Sequence, residues 1–292
     1  VGAVVLAVGC SGVVRGTSLS DRDGAVREVP PDQVPDAGSE LEVPPGLDGS
    51  AADDGGAMAP DASMHGCLGV VCEDFEGTPV GAIPTGWRKS AFGPATIETA
   101  SDLAHSGSQS LRIEMTGPTP EQYIENTAAF PAPKNTFYGR LWFRIDGGAL
   151  TNAIHWNLVE AKGEDPSLLV RYGGGNPLSP PFTHFFLYNL WTSGGETGAA
   201  DTEAPGIALG TWHCMEWKFS GSAGAEEATL WWNGAERPAA KWPSSPGATG
   251  GFHMPTFTTV KVGWAVYGPG FSTPFSVHID DVAIGHQRLG CD

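Results

Sequence analysis

Between Ile154 and Trp191 the chain reads IHWNLVEAKGEDPSLLVRYGGGNPLSPPFTHFFLYNLW, and this stretch carries the residues best suited to chemistry. His155 and Asn157 lie two apart in a first run of β character, Arg171 ends a second, and Tyr188 lies near the end of a third, two residues from Phe186. Strand side chains alternate faces, so residues two apart look the same way. Three neighbouring strands of one sheet would therefore aim an imidazole, an amide, a guanidinium and a phenol at one place. Such a set suits an anionic sugar, with a cation for its carboxylate and a base and an acid for its ring. The plainer reading is a scatter of unrelated surface and core polar residues, and strand pattern by itself favours it.

The elements that would have to position these groups are short strands. Alternating runs recur between clusters of Gly, Pro, Asn and Asp: SLRIEMT, YGRLWFRI, IHWNLVEA, SLLVRY, HFFLYNL, HCMEWKF, ATLWWNG, TVKVGWAVY and FSVHIDDVAI. Few windows hold helical period. Many short strands with turn punctuation predict an all-β sandwich or barrel, and a jelly roll of two packed antiparallel sheets fits the length of the aromatic-rich region. In WHCMEWKFSGSAGAEEATLWWNG, Met215, Trp217 and Phe219 share one face, and Leu230 and Trp232 are placed to meet them in a core. Asn233-Gly234 is a turn signal.

Composition narrows the class. The 292 residues carry a formal charge of −17, with 41 Gly, 24 Pro and 10 Trp. That charge argues against a nucleic-acid partner, which favours clustered Lys and Arg. Residues 1–10 form an apolar run too short to span a bilayer, ending in small residues and Cys10. Ala7-Val8-Gly9-Cys10 resembles a bacterial lipobox, which predicts cleavage before Cys10, acylation of its thiol and display at an envelope membrane. A plain secretory signal with an incidental Cys is the alternative. Residues 11–66 are acidic and rich in Pro, Gly and Ala, with almost no aromatic content. They cannot bury enough apolar surface to offset ordering entropy, and they read as a disordered tether to a domain over 67–292. Nothing in the sequence asks for more than a monomer.

Five cysteines less Cys10 leave Cys67, Cys72, Cys214 and Cys291. An exported chain can hold disulfides. Cys67 and Cys72 are close enough to staple the domain entry, and Cys214 with Cys291 would tie a central strand to the chain end. A metal site is the rival reading, although no CxxC or clustered His accompanies them. Glu76, Ser106, Gln109 and Asp280 are hard oxygen donors near strand ends, of the kind calcium prefers. Spacing alone leaves them as ordinary turn residues.

From CEDFEG to the terminal RLGC the chain resembles the fungal cellulose-induced secreted jelly-roll proteins and their bacterial relatives, which are similar in turn to glucuronan lyases. The features that carry this are DFEG, AHSGSQSLRI, YGRLWFRI, LLVRYGGG, HCMEWKF with LWWNG, VKVGWAVYG and IDDVAIGHQRLGC. The resemblance implies a β-jelly roll with a cleft on one sheet. It implies a structural Ca2+ near the first and last strands, held by Glu76, Ser106, Gln109 and Asp280, with Gln109 in place of the usual Asn. It implies a Cys214–Cys291 disulfide, while Cys67–Cys72 is a local bridge of this chain's own. Arg171 matches a cleft arginine that meets a uronic acid, His155 a cleft histidine, and Tyr188-Asn189 a Tyr-Asn pair. The following segment, LWTSGGETGAADTEAPG, lacks the close run of acids of the fungal members.

These residues suggest cleavage of a uronic-acid-containing polysaccharide by β-elimination. Arg171 would neutralise the sugar carboxylate and Asn157 would add an amide donor. His155 would act as base and Tyr188 as acid. A non-catalytic carbohydrate-binding module is the second reading, with Trp191, Trp264 and Tyr267 as stacking surfaces. A glycoside hydrolase, with Glu160 and Glu216 as its carboxylates, ranks third.

Overall fold

The computed structural model describes residues 67–116, 121–147, 154–165, 167–176, 184–191, 195–202, 207–222, 224–243, 253–267 and 275–291, and for residues 154, 176, 184–191 and 195–197 the backbone only. The expectations for residues 1–10 and 11–66, including Cys10, lie outside the described residues.

The strands in chain order are β1 (Val71–Glu73), β2 (Arg88–Phe92), β3 (Ala95–Ala100), β4 (Ser110–Met115), β5 (Glu121–Asn126), β6 (Thr136–Gly147), β7 (Ile154–Lys162) and β8 (Leu169–Asn176). They continue as β9 (His184–Trp191), β10 (Gly195–Asp201), β11 (His213–Ser220), β12 (Glu227–Trp232), β13 (Ala235–Glu236), β14 (Thr259–Tyr267) and β15 (Phe275–Gly285). Two antiparallel sheets result. The 8-stranded sheet runs β13-β12-β11-β6-β15-β4-β3, with β1 also on β15, and the 7-stranded sheet runs β10-β9-β8-β7-β14-β5-β2. The fold is an all-β jelly roll, as the turn-punctuated runs predict.

The core lies between the sheets and follows from period-2 patterning. On β6, Phe137, Leu141, Phe143 and Ile145 are fully buried, while Tyr138, Arg140, Trp142 and Arg144 are half-buried. Met215, Trp217 and Phe219 of β11 face Trp232, Leu230 and Ala228 of β12 across the ladder, all within the core. The 7-stranded sheet contributes Trp156, Val159, Val170, Tyr172, Val260, Val262 and Trp264. Removing each such Val or Leu side chain from water contributes roughly 2 kcal/mol. Asn233 and Gly234 both have positive φ, 47° and 80°, and turn the chain from β12 into β13. Disulfides join Cys67 to Cys72 and Cys214 to Cys291, 5 and 77 residues apart in sequence.

Candidate functional site

β7, β8 and β9 are neighbours, and their register sets the polar residues in rows. Glu160 stands opposite Arg171, and Arg171 opposite Tyr188. On the other side of β7, Glu160 faces Lys261 of β14, Lys261 faces Glu125 of β5, and Glu125 faces Arg88 of β2. Opposed residues share a sheet face with Cβ atoms about 5 Å apart. Val260 and Val262, of the other parity, are fully buried in the core, so this row lies on the outer face of the sheet. It alternates in charge from Arg88 to Arg171, and Arg88 is ion-paired to Glu125.

Glu160 joins the two inner cations. Its Oε1 is 2.8 Å from Lys261 Nζ and its Oε2 is 3.1 Å from Arg171 Nε. Burial pushes this carboxyl up, but Lys261 and Arg171 outweigh burial and hold it below the usual carboxylate range. The ion pair uses Nε of Arg171, and the four N–H donors on Nη1 and Nη2 are those a ligand carboxylate would address.

Arg171 also lies over an aromatic ring, with its Cζ 5.3 Å from the centre of Tyr267. The Tyr267 hydroxyl donates to Glu121 Oε1 at 3.0 Å. Burial pushes this phenol well above its ordinary value; Arg171 opposes the shift and Glu121 reinforces it. Tyr267 is therefore a neutral phenol near neutral pH, with its proton held by Glu121. His155 stands directly opposite Tyr267 and is exposed. Asn157 stands opposite Ala265 and Gly173. It is buried, and its Oδ1 has no hydrogen-bond partner among the described residues. A Cβ on Gly173 would meet the Trp156 carbonyl oxygen at 1.9 Å and Asn157 Oδ1 at 2.6 Å, so β8 passes β7 there only as glycine.

Tyr123 of β5 was not legible as a site residue. Its ring lies across Gly263, where an added Cβ would meet Tyr123 Cδ1 at 2.8 Å, and Lys261 Nζ is 5.5 Å from its centre. The hydroxyl is buried without a hydrogen-bond partner among the described residues. Burial raises its pKa, with Tyr267 and Glu160 adding to the shift. EQYIEN, polar on both faces, does not read as a strand of a sandwich. Lys261, a lone cation in an apolar run, was the available signal for this part of the face.

Several expectations are corrected. Trp264 is fully buried and stacks on Trp156 at 4.9 Å between ring centres, so it offers no face to a sugar. Tyr267 is engaged by Arg171 and Glu121, which makes it a polar group of the site rather than a stacking platform. Asn189 falls opposite the core residue Val170, one residue out of phase with Tyr188. Trp191 closes β9 opposite Gly195; the side chains of Tyr188, Asn189 and Trp191 lie outside the described residues. Glu216 sits on β11 in the other sheet, where Arg288 Nη2 and Nε reach its two carboxylate oxygens at 2.8 and 3.1 Å. Glu160 and Glu216 therefore do not face one cleft, and a hydrolase pair is not formed.

The four oxygen-bearing residues do come together, near the junction of β1, β4 and β15. Glu76 accepts from the Ser108 and Gln109 backbone N–H groups, each at 2.7 Å. Asp280 accepts from the backbone N–H groups of His105 at 2.7 Å and Ser106 at 3.2 Å. Gln109 Nε2 donates to the Glu76 carbonyl oxygen at 3.0 Å. Asp281, a residue the sequence did not single out, accepts from Ser106 Oγ at 2.8 Å and adjoins Asp280. Burial and the Asp281 charge push Asp280 up to about 8. Among the described residues no three His, Cys, Asp or Glu side chains group closely enough to hold a metal. A cation here would rest on carbonyl and amide oxygens as well as carboxylates, which is the donor chemistry calcium takes. In this arrangement the Gln109 amide offers its nitrogen, not its oxygen, to the junction.

No protein-family profile and no curated protein matches the chain. Among solved structures, the chain is similar to the cellulose-induced protein Cip1, with a TM-score of 0.52 and 20% identity over 76% of this chain and 100% of that one. It is also similar to an endo-β-1,4-glucuronan lyase from the fungus Trichoderma reesei, with a TM-score of 0.53 and 11% identity over 71% of this chain and 94% of that one. At these identities the likeness establishes a shared jelly-roll fold.

Proposed function

We propose that this protein is a polysaccharide lyase acting on a uronic-acid-containing polymer of the glucuronan type. The observation that carries the proposal is the guanidinium of Arg171 held over Tyr267, with His155 directly opposite Tyr267 on the next strand. In the reaction, Arg171 binds the sugar carboxylate and, with Asn157, stabilises the charge that builds on it as the C5 proton leaves. His155 takes that proton on an imidazole nitrogen. The electron pair becomes a C4–C5 double bond, the C4–oxygen bond breaks, and the departing oxygen takes a proton from a phenol. Tyr267, whose hydroxyl donates to Glu121, is one phenol in reach of the row, and Tyr188, opposite Arg171 in the register, is the second. Calcium at Glu76, Ser106, Gln109 and Asp280 would be structural, and a lipid on Cys10 would hold the protein at an envelope membrane as a monomer.

A binding module without catalysis is the second reading. It is favoured by one observation, that Glu160 already neutralises Arg171. The test is formation of unsaturated uronate ends by the full chain, followed in the ultraviolet, against binding of the same polymers by affinity electrophoresis. Binding with no new unsaturated ends selects the module.

A further inference from the structure

Tyr123 belongs to the outer face of the 7-stranded sheet and has no part in the reaction above. It stands two residues before Glu125, a member of the charged row, so its side chain leaves β5 on the same face. Its neighbour across the ladder is Gly263, where β14 offers no side chain. The ring lies across that gap, with Lys261 Nζ 5.5 Å from its centre. The neighbouring strands lose register at the same place, β14 between Val262 and Ala265 and β7 between Asn157 and Val159. Bulges of this kind recur beside functional sites.

Tyr123 is 0% exposed, yet its hydroxyl has no hydrogen-bond partner among the described residues. Asn157 Oδ1, on the same face in a residue that is 2% exposed, is likewise unpartnered. A buried hydroxyl without a partner costs free energy, and protein interiors nearly always pair such a group. Packing gives no reason for the oxygen, because a phenyl ring would cover Gly263 equally well. The groups that act electrostatically on this hydroxyl are Tyr267, Glu160, Arg171 and Glu121, which are those of the candidate site. All four are engaged with one another, Arg171 with Glu160 and the Tyr267 ring, and the Tyr267 hydroxyl with Glu121. The Tyr123 hydroxyl is the donor left over in a closed site.

We infer that the Tyr123 hydroxyl is a specificity-determining contact for the uronate carboxylate, reached when Arg171 turns its terminal nitrogens from the Tyr267 ring to the sugar. One carboxylate oxygen then meets Arg171 and the other accepts from Tyr123. The inference rests on the polyuronate reading above and adds to it a residue and a closed free state. Arg171 keeps its Nε on Glu160 throughout, so its charge is at no stage unpaired. The carboxylate supplies the partner that Tyr123 lacks, and that differential contact is what favours the opened arrangement. A sugar without a carboxylate leaves the buried hydroxyl unpaired, which is how a polar site rejects the wrong ligand.

The test is Tyr123→Phe in the full chain, which keeps the ring over Gly263 and removes only the oxygen. Dissociation constants are measured for a polyuronate and for its methyl ester, and unfolding of the free protein is followed in denaturant. The expected result is a loss of about ten- to a hundredfold in affinity for the polyuronate, the scale of one hydrogen bond to a charged group. The ester is bound as before, and the free protein is at least as stable as the wild type. Unchanged affinity for a polyuronate that the wild type binds overturns the assignment and leaves the lyase or module reading standing. Equal losses on polymer and ester, or a destabilised free protein with both losses, show that the hydroxyl supports the fold and overturn it as well. A wild-type protein that neither cleaves nor binds any polyuronate overturns the reading on which the assignment rests, and the assignment with it.

Discussion

Glu160 and Arg171 stand directly opposite each other on β7 and β8 and are joined at 3.1 Å, while the other oxygen of Glu160 holds Lys261 at 2.8 Å. One buried carboxylate therefore fixes both inner cations of the candidate site. Replacing it leaves Arg171 and Lys261 side by side without the carboxylate that holds both. Glu160→Gln is expected to lower unfolding free energy by about 3 kcal/mol at pH 7, since removing one partner of a buried pair strands the other. Denaturant unfolding measures it.

The same carboxylate sets a pH dependence. Its folded pKa is held below the usual carboxylate range, despite burial, by Lys261 and Arg171. A depressed pKa means that the charged form is favoured by folding. The stability it contributes is present above pH 4.5 and is lost as pH falls through the lower folded value. The stability difference between wild type and Glu160→Gln should therefore be constant above pH 5 and shrink on acidification below the ordinary glutamate range. A difference that stays flat down to pH 3 contradicts the ion-pair assignment.

Tyr267 was expected from sequence to be a stacking surface, and in the proposed reaction it is a candidate acid whose hydroxyl donates to Glu121. Tyr267→Phe keeps the ring under Arg171 and removes the proton. Turnover should fall about 100-fold, in line with the contribution of a positioned acid, with little change in KM. A change in KM alone would return Tyr267 to a binding role.

The two disulfides should differ in weight. The Cys214–Cys291 bridge spans 77 residues and the Cys67–Cys72 bridge spans 5. On the chain-entropy account the longer loop stabilises by about 4 kcal/mol and the shorter by about 2. Paired Cys→Ala variants of each bridge, compared by denaturant unfolding, should show this order.

Calcium should raise the melting temperature of the full chain by several degrees over chelator-treated protein, because a ligand that binds only the folded state at 100 times its Kd adds about 2.7 kcal/mol. The difference should vanish in Asp280→Ala. An equal melting temperature with calcium and with chelator would show that the hydrogen bonds from His105, Ser106 and Gln109 close this junction without an ion.

The all-β character and the two-sheet core were legible because apolar period-2 runs dominate β6, β11, β12 and β14. β5 escaped because Glu121, Gln122, Glu125 and Asn126 put polar groups on both faces, and Gln122 and Asn126 are tied off inside by the backbone carbonyls of Phe92 and Gly86. The site was half legible for the same reason. His155, Asn157 and Arg171 sit in one sequence stretch whose strands are sequential neighbours. Their partners Glu121, Tyr123, Lys261 and Tyr267 come from β5 and β14, which join β7 only through long-range pairing. A one-residue phase error is enough to misplace a side chain, as Trp264 shows by lying in the core beside outward-facing positions. Bulges in β7 and β14 shift the phase within single strands and are invisible in the sequence pattern.

The measurement that bears most directly on the proposal is ultraviolet detection of unsaturated uronate ends from glucuronan, alginate and pectate incubated with the full chain and with Arg171→Ala. The account predicts growth of signal on glucuronan for the wild type and a loss of about 100- to 1000-fold in kcat/KM for the variant, the scale of removing a group that stabilises transition-state charge. Undiminished cleavage by Arg171→Ala, or no cleavage of any polyuronate by the wild type, would contradict it.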